Sequence, residues 1–196
     1  MSESNLLKQL EFIKEIDKVK YIERRTKLFH SDRRENDAEH SWHLAMMAMV
    51  LSEHANVQIN LLKVIKMVLI HDIVEIDAGD TFLFDTKKDH DNNQEERKCA
   101  ERVFGMLPDK QRDELLGLWE EFEKGSSEEA KFARALDNLE PMLQNATNEG
   151  GTWQEFDVGH DVVYDKKKVI AKGSATLWDH AQGILRESVE KGILKK

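Results

Sequence analysis

Proline occurs at only two of the 196 positions, Pro108 and Pro141, and glycine occurs at ten. Because these two residues disfavour the interior of a helix more than any others, most of the chain is free to remain helical. Runs in which β-branched residues alternate with polar ones, as in a half-buried strand, are nearly absent. This pattern predicts an all-α fold.

Apolar residues recur at helical spacing in seven stretches, and seven to nine helices are expected in all. The stretches run over about residues 4–22, 38–55, 60–73, 93–106, 109–124, 128–147 and 174–191. Asn36, Pro108 and Ser127 stand where helix starts are expected, and residues 74–92 are interpreted as a loop. No linker rich in proline, glycine or serine interrupts the chain, so residues 1–196 are expected to form a single domain.

The formal charge of −9 argues against a nucleic-acid polymer as the main partner, because binding many phosphates requires a basic surface. A small phosphorylated substrate needs only a few local cations and stays possible. The single cysteine, Cys99, rules out an internal disulfide and fits a reducing compartment. The polar N-terminus and the short apolar run at 44–51 give no sign of a signal peptide or a membrane span. A cytoplasmic location without membrane contact is therefore expected.

His71 and Asp72 form an adjacent pair directly after the apolar run 61–70. An aspartate in such a place is costly to bury unless a partner compensates its charge, and a metal ion would do so. The intervals back to His40 and on to Asp137 are each long enough for a helix and a connection, so all four groups can converge. Imidazole nitrogen and carboxylate oxygen together suit a divalent transition metal with water in the remaining positions. These four residues are the candidate metal ligands.

Other catalytic motifs are missing from the chain. No His-Glu-x-x-His occurs, which excludes the zinc-protease pattern, and no glutamate stands three residues before a histidine, as a di-iron bundle would require. There is neither a Gly-Lys pair for a phosphate-binding loop nor a Gly-x-Ser-x-Gly nucleophile turn.

The segments at residues 33–43 and 71–80 resemble the HD-domain superfamily of metal-dependent phosphohydrolases, whose signature is His…His-Asp…Asp. They are most similar to the bacterial branch that includes the 5′-deoxynucleotidases, through Asn-x-x-Glu-His-Ser, His-Asp-x-x-Glu and a following Gly-Asp. The resemblance covers about residues 20–145. It implies a helical HD bundle, with residues 150–196 packed on it.

The resemblance also implies one divalent metal ion bound by His40, His71, Asp72 and Asp137. Relatives with two metals carry further histidines between the signature positions, whereas only two others lie between His40 and His71 here. Two imidazole ligands favour Mn, Fe, Co, Ni or Zn over Mg.

The same resemblance assigns catalytic roles to Glu75 and Asp80. Which of them handles the attacking water and which serves the leaving oxygen is open. Arg25 matches a phosphate-binding arginine, and Arg33 is a second substrate-binding candidate. In the deoxynucleotidases a tryptophan that helps to exclude ribose follows the first arginine, whereas Thr26 stands here.

These residues predict a phosphomonoesterase that releases phosphate from nucleoside 5′-monophosphates through a metal-activated water. The alternatives are a phosphodiesterase, a nucleoside triphosphate triphosphohydrolase and a catalytically silent nucleotide- or metal-binding module.

A homo-oligomer, most simply a dimer, is expected, with helix 109–124 or the C-terminal helix as its interface. Met46, Met47, Met49 and Met67 are expected in the core. His43 is expected either to support a metal ligand or to be a buried polar residue.

Overall fold

Helices make up nearly all of the regular structure in this computed structural model, which describes residues 3–79 and 93–196. The predicted catalytic residue Asp80 lies outside the described residues. The helices of eight or more residues are α1 (Glu3–Ile16), α2 (Asp37–Leu51), α3 (Leu61–Ile70), α5 (Asn93–Phe104), α6 (Asp109–Lys124), α7 (Glu128–Thr147), α9 (His160–Lys167) and α11 (Ala175–Glu190). The shorter ones are α4 (Glu75–Ala78), α8 (Gly151–Glu155) and α10 (Ile170–Gly173). The predicted all-α fold is confirmed.

One short antiparallel hairpin was not predicted from the sequence. Strand β1 (Glu23–Lys27) pairs with β2 (Arg34–Asn36), with Glu23 opposite Asn36. Both strands are short and rich in charge, so they lack the apolar alternation that identifies a strand. The hairpin matters for the site because β2 leads directly into α2.

Side-chain caps fix the starts of the helices that carry the candidate ligands. The Asn36 side chain accepts a hydrogen bond from the Glu39 backbone N–H, and the Glu39 side chain accepts one from the Asn36 backbone N–H. This capping box satisfies two backbone donors that would otherwise lack partners at the start of α2. Ser127 caps α7 in the same way, by accepting from the Ala130 N–H. Both cap predictions are confirmed.

Helix α7 lies at the centre of the larger hydrophobic core. It packs against α2, α3, α6, α10 and α11, and its inward side chains are almost fully buried. The buried apolar residues in the middle of α7 are Phe132, Ala133, Ala135, Leu136, Leu139 and Met142. A second cluster around Phe12, Phe104 and Trp119 joins α1, α5 and α6. Within the described ranges, no helix combines the length and the apolar character needed to cross a membrane.

The methionines divide between the core and the surface. Met47 and Met67 are buried as expected, but Met46 and Met49 leave 40% and 55% of their surface exposed, so the prediction for these two was wrong. The reason lies in α2, which is apolar on every side. On such a helix, apolar spacing does not distinguish the core side from the outer side.

Candidate metal centre and substrate cavity

The four predicted metal ligands come together from three elements, which are α2, the 3-10 turn after α3, and α7. His40 lies in the first turns of α2, and Asp137 lies midway along α7. His71 and Asp72 begin the 3-10 turn His71–Val74 that directly follows α3. This change of helix type at the end of α3 allows two adjacent residues to face the same point.

Their ligand atoms are close enough to share one ion. His40 Nε2 is 3.1 Å from Asp137 Oδ1, and His71 Nε2 is 3.2 Å from Asp72 Oδ1 and 3.6 Å from Asp137 Oδ1. Ligands about 2.1 Å from a metal and at right angles to each other lie about 3 Å apart. His71 Nε2 is also buried without a hydrogen-bond partner among the described residues. The residues therefore fit a bound divalent cation.

Neighbouring acceptors orient both imidazoles. His71 Nδ1 lies 3.0 Å from the carbonyl oxygen of Val68, which can only accept, so this nitrogen carries the hydrogen and Nε2 has a free lone pair. His40 Nδ1 lies 3.4 Å from Glu140 Oε2 and 3.5 Å from Glu35 Oε2, on the side away from the other ligands. Carboxylates behind a ligand histidine fix its orientation and make it a stronger base.

Glu140 is a supporting residue that was not predicted from the sequence. It is fully buried, and it bonds to His43 Nδ1 at 3.2 Å and accepts a hydrogen bond from Gln144. Burial acts to raise the pKa of Glu140, but hydrogen bonds from His40 and His43 lower it to about 2. His43 therefore contacts a residue that supports a ligand, and not a ligand itself. A glutamate inside the apolar stripe of α7, one turn after Asp137, was the signal in the sequence.

The electrostatics of the centre favour positive charge. Burial and Arg24 act to lower the pKa of His40, but three neighbouring carboxylates outweigh them and raise it well above its ordinary value. Burial acts to raise the pKa of Asp137, yet the two imidazoles hold it well below its usual range. The centre thus stabilises a cation at the imidazoles, whether a proton or a metal ion.

Arg24 is the cation that holds Asp72, a contact that was not predicted from the sequence. Arg24 Nη1 donates to Asp72 Oδ2 at 2.7 Å and lies 3.4 Å from Asp37 Oδ1. The other oxygen of Asp72 faces His71. Side chains alternate along a strand, so Arg24 and the buried Thr26 point inward while Arg25 is exposed. The inward position of Arg24 could not be predicted because no pattern in the sequence indicated strand β1.

The two predicted substrate-binding arginines lie in different places. Arg25 reaches the wall of the cavity beside the metal centre. Arg33 is exposed and forms an ion pair with Glu39 through two hydrogen bonds of 2.8 and 3.0 Å. It is not among the described residues that line this cavity. The structure thus brings Arg25 to the predicted site and leaves Arg33 on the capping box of α2.

The cavity has a volume of about 400 Å³ and contains the candidate catalytic residue Glu75 together with Asp72 and Asp137. Five cationic side chains line it, although the chain as a whole carries a charge of −9. They are Arg24, Arg25, Arg134, Lys166 and Lys167. This local excess of positive charge gives the cavity the character of an anion-binding site.

Lys167 is the most unusual of these cations because it is almost fully buried, with 4% of its surface exposed. Its ammonium donates a hydrogen bond to the side-chain oxygen Oδ1 of Asn138 at 3.2 Å. Burial lowers the pKa of Lys167 to about 8. A buried ammonium with a neutral partner is costly, and an anion in the cavity would compensate it. The run of three lysines at 166–168 gave no sign that the middle one is buried.

Comparisons with known proteins agree with this architecture. The model of the HD domain family matches residues 16–178. The 5′-deoxynucleotidase HDDC2 of Mus musculus is 31% identical over 153 residues, which are 75% of each chain, and that of Danio rerio is 28% identical over 167 residues, which are 82% of each chain. The crystal structure of a predicted metal-dependent phosphohydrolase from Magnetospirillum magnetotacticum MS-1 is similar with a TM-score of 0.93 and 47% identity, covering 99% of this chain and 97% of that one.

The match to the family model extends over most of the chain, and the four signature residues meet at one point in the described structure. The structural match to the predicted metal-dependent phosphohydrolase covers almost the whole of this chain. The chain therefore belongs to the HD domain family and is a metal-dependent phosphohydrolase of that family.

Proposed function

We propose that this protein releases phosphate from nucleoside 5′-monophosphates, with one divalent ion held by His40, His71, Asp72 and Asp137. The observation that carries the proposal is that Asp72 and Asp137 line a cavity with five cations, while His40, His71 and Asp72 offer ligand atoms within 4.8 Å of one another. A phosphate monoester is a compact dianion near neutral pH, and such a cavity suits it. A volume of about 400 Å³ is in the range of pockets for small ligands, which favours a free nucleotide over a polymer.

A divalent ion bound at this centre would neutralise phosphoryl oxygens and acidify water enough to supply hydroxide near neutrality. Two imidazole ligands favour Mn, Fe, Co, Ni or Zn over Mg for this role. Arg24 keeps one oxygen of Asp72 occupied, so that the other faces the ligand cluster.

Glu75 follows the ligand pair by one helical turn and lines the cavity, which suits a residue that orients the attacking water or takes its proton. Arg25 and Lys167 supply the charge that holds the phosphate in the cavity. The roles of Asp80, for the leaving oxygen or the water, and of Arg33, in binding substrate, stay predictions.

The names of the relatives raise the question of the sugar. The relatives are named 5′-deoxynucleotidases, and we propose that this chain also hydrolyses nucleoside monophosphates. Thr26 is buried in the cavity wall, beside Arg24 and Arg25. Since a threonine is much smaller than a tryptophan, we expect this wall to leave room for a ribose hydroxyl. Ribonucleotides and deoxyribonucleotides should then be cleaved at similar rates.

The test is phosphate release from a panel of ribo- and deoxyribonucleoside 5′-monophosphates. The protein is stripped of metal and reloaded separately with Mn, Co, Zn or Mg. Release that depends on metal and disappears in Asp72→Ala supports the proposal. Asp161→Ala is the matched control, because Asp161 is an almost fully exposed aspartate outside this cavity.

Other outcomes identify the alternatives. Cleavage of bis(p-nitrophenyl) phosphate without release from monoesters would indicate a phosphodiesterase. Release of inorganic triphosphate from nucleoside triphosphates would indicate a triphosphohydrolase. Tight nucleotide binding without turnover under any metal would indicate a silent binding module and would refute the proposed activity.

A further inference from the structure

The cavity beside the metal centre extends along α7 beyond the metal ligand Asp137. Five residues of this helix line it from that position onwards, and their spacing places them on one side of the helix. They are Asp137, Asn138, Pro141, Met142 and Asn145. At a rise of about 1.5 Å per residue, Asn145 lies about 12 Å along the helix from Asp137. The cavity thus has a metal end and a far end.

The two ends of the cavity differ in chemistry. Among the described residues, the carboxylates that line it all belong to the metal end, and they are those of Asp72, Glu75 and Asp137. At the far end, α7 and α8 contribute three uncharged side chains that are at most 3% exposed, which are Asn145, Thr152 and Trp153. A phosphate bound at the metal end would place the uncharged part of a substrate beside these three residues.

The side-chain amide of Asn145 is held in one orientation. Its oxygen Oδ1 accepts a hydrogen bond from the backbone N–H of Thr152 at 2.9 Å and another from the Thr152 hydroxyl at 3.1 Å. Because a backbone N–H can only donate, the atom of Asn145 that faces it is the oxygen. The backbone of α8 also lies directly on this oxygen, since a Cβ on Gly151 would collide with it. The amide therefore has no room to turn over.

The amide nitrogen of Asn145 is left for a molecule in the cavity. No hydrogen bond to another described residue uses Nδ2, and this atom is not fully buried. Since Asn145 lines the cavity and Thr152 occupies its oxygen, Nδ2 is the polar atom that it offers there. A hydrogen-bond donor fixed in the wall of a pocket selects ligands that carry an acceptor at the same point.

The position of this donor points to the base of a nucleotide. When the phosphate lies at the metal end, the edge of the base farthest from the sugar comes nearest to Asn145. Guanine, uracil and thymine carry an oxygen acceptor at that edge, whereas adenine and cytosine carry an amino donor. The N–H groups of Asn145 can bond to the oxygen, but they face the amino group as donor against donor.

We propose that Asn145 selects nucleotides whose base carries an oxygen at the edge farthest from the sugar. The inference rests on the proposed function, because it takes the phosphate to bind at the metal end. Pro141 and Met142 provide apolar wall between Asp137 and Asn145, beside which the sugar would lie. The selection is thus made about 12 Å away from the reacting phosphate, by a residue that takes no part in the chemistry.

The test compares two pairs of substrates that differ in the exocyclic group at this edge. Inosine 5′-monophosphate carries an oxygen where adenosine 5′-monophosphate carries an amino group, and uridine and cytidine 5′-monophosphate differ in the same way. For the metal-loaded parent, kcat/KM should be about tenfold or more higher for the oxygen-bearing member of each pair, because a site built to hydrogen-bond one group discriminates against its loss. Equal values within either pair would overturn the proposal.

Asn145→Asp tests whether Asn145 is the cause of the preference. The carboxylate can still accept both hydrogen bonds from Thr152, but it replaces the N–H donors with an acceptor. Its charge repels all four substrates alike, so the readout is the ratio of kcat/KM within each pair, which should fall to one or below. Asn145→Ala, with an expected ratio of about one, replaces this variant if circular dichroism shows poor folding. A parent ratio in the variant would overturn the assignment to Asn145.

Gln154→Glu is the matched control for this exchange of amide for carboxylate. Gln154 is exposed on α8 and is not among the described residues that line the cavity, so the variant should keep the parent ratios. If Gln154→Glu abolished the preference as fully as Asn145→Asp, the added charge and not the lost donor would be responsible, and the proposal would fail.

Binding separates this inference from the proposed activity. Calorimetry with metal-loaded Glu75→Ala gives the dissociation constants of the same four nucleotides, and the oxygen-bearing member of each pair should bind more tightly. A parent without turnover, together with this preference in binding, would refute the phosphomonoesterase and support the selection by Asn145. Turnover of all four nucleotides at one rate would support the phosphomonoesterase and refute the selection.

Discussion

At the scale of single residues, the two oxygens of Asp72 have different neighbours and so different tasks. Oδ1 faces His71, while Oδ2 accepts a hydrogen bond from Arg24. Glu75, one helical turn further, lines the cavity and is not part of the ligand cluster. This separation allows metal binding and turnover to be tested independently.

We expect Asp72→Ala to lose metal and activity together, because it removes a ligand. Glu75→Ala should keep its metal, while kcat falls about 100- to 10,000-fold, the usual contribution of a general base. Metal content per chain and kcat are measured on the same preparations, with Glu187→Ala on the exposed side of α11 as the control. Turnover by Glu75→Ala at the parent rate would remove Glu75 from the mechanism.

Lys167 offers a second test at this scale. Replacing its buried ammonium by the apolar side chain in Lys167→Met should raise KM for a nucleoside monophosphate about 10- to 100-fold, since a charge-assisted contact to phosphate is lost. It should not lower the melting temperature, because an apolar side chain is less costly to bury. Lys168→Met is the control, because Lys168 is exposed and pairs with Asp165. A lower melting temperature with unchanged KM would make Lys167 a structural residue.

The pKa of Lys167, lowered by burial to about 8, predicts a pH effect on kcat/KM, which reports on the free enzyme. The ammonium is charged below pH 8 and neutral above it, so the attraction for phosphate declines as pH rises through 8. A phosphate monoester stays dianionic across this range. Parent kcat/KM should therefore fall towards the value of Lys167→Met, whose own profile should lack this step. Parallel profiles for the two proteins would contradict the assignment.

At the scale of helices and strands, the backbone of α10 lies close to that of α7. A Cβ on Gly173 would meet the carbonyl oxygen of Lys131 and come within 2.7 Å of Phe132 Cα. Gly173 therefore allows α10 to lie directly on the helix that carries Asp137. Gly117, in the middle of α6, has no neighbour within 4 Å of such a Cβ among the described residues.

We expect Gly173→Ala to lower the free energy of unfolding by about 1–3 kcal/mol, because two backbones would have to separate. Gly117→Ala should raise it by about 0.5–1 kcal/mol, because alanine is the better helix former. Urea unfolding of both variants measures the difference. If both changes stabilise the protein, the close approach of α10 and α7 is not as described.

The elements also show what the sequence could and could not predict. Each long helix up to α7 was predicted because apolar spacing, few prolines and capping residues agree there. The hairpin β1–β2 was missed since it has five and three residues with much charge, and without it the inward position of Arg24 beside Asp72 could not be predicted. The buried state of Lys167 depends on how α9 lies against α7, which no local pattern encodes. The four candidate ligands could be predicted because His71 and Asp72 are adjacent after an apolar run and because the set resembles the HD signature.

At the scale of the whole molecule, an acidic chain surrounds a centre that favours a cation. The carboxylates of Glu35 and Glu140 lie beside Nδ1 of His40, and those of Asp72 and Asp137 lie beside its Nε2. Arg24 and the two imidazoles face these four carboxylates, and a divalent ion would add two positive charges to the cluster. Binding of a metal should therefore stabilise the folded chain as a whole.

Removing the metal should lower the melting temperature. A ligand present at 100 times its dissociation constant stabilises the bound protein by about 2.7 kcal/mol, which for a chain of this size corresponds to about 5–10 °C. Differential scanning calorimetry of chelated and reloaded protein measures the shift for Mn, Co, Zn and Mg, and we expect Mg to give the smallest. Asp72→Ala should show no shift, while the exposed control Asp161→Ala should behave as the parent. An unchanged melting temperature in a protein shown by elemental analysis to have lost its metal would mean that the ion lies elsewhere than at these four residues.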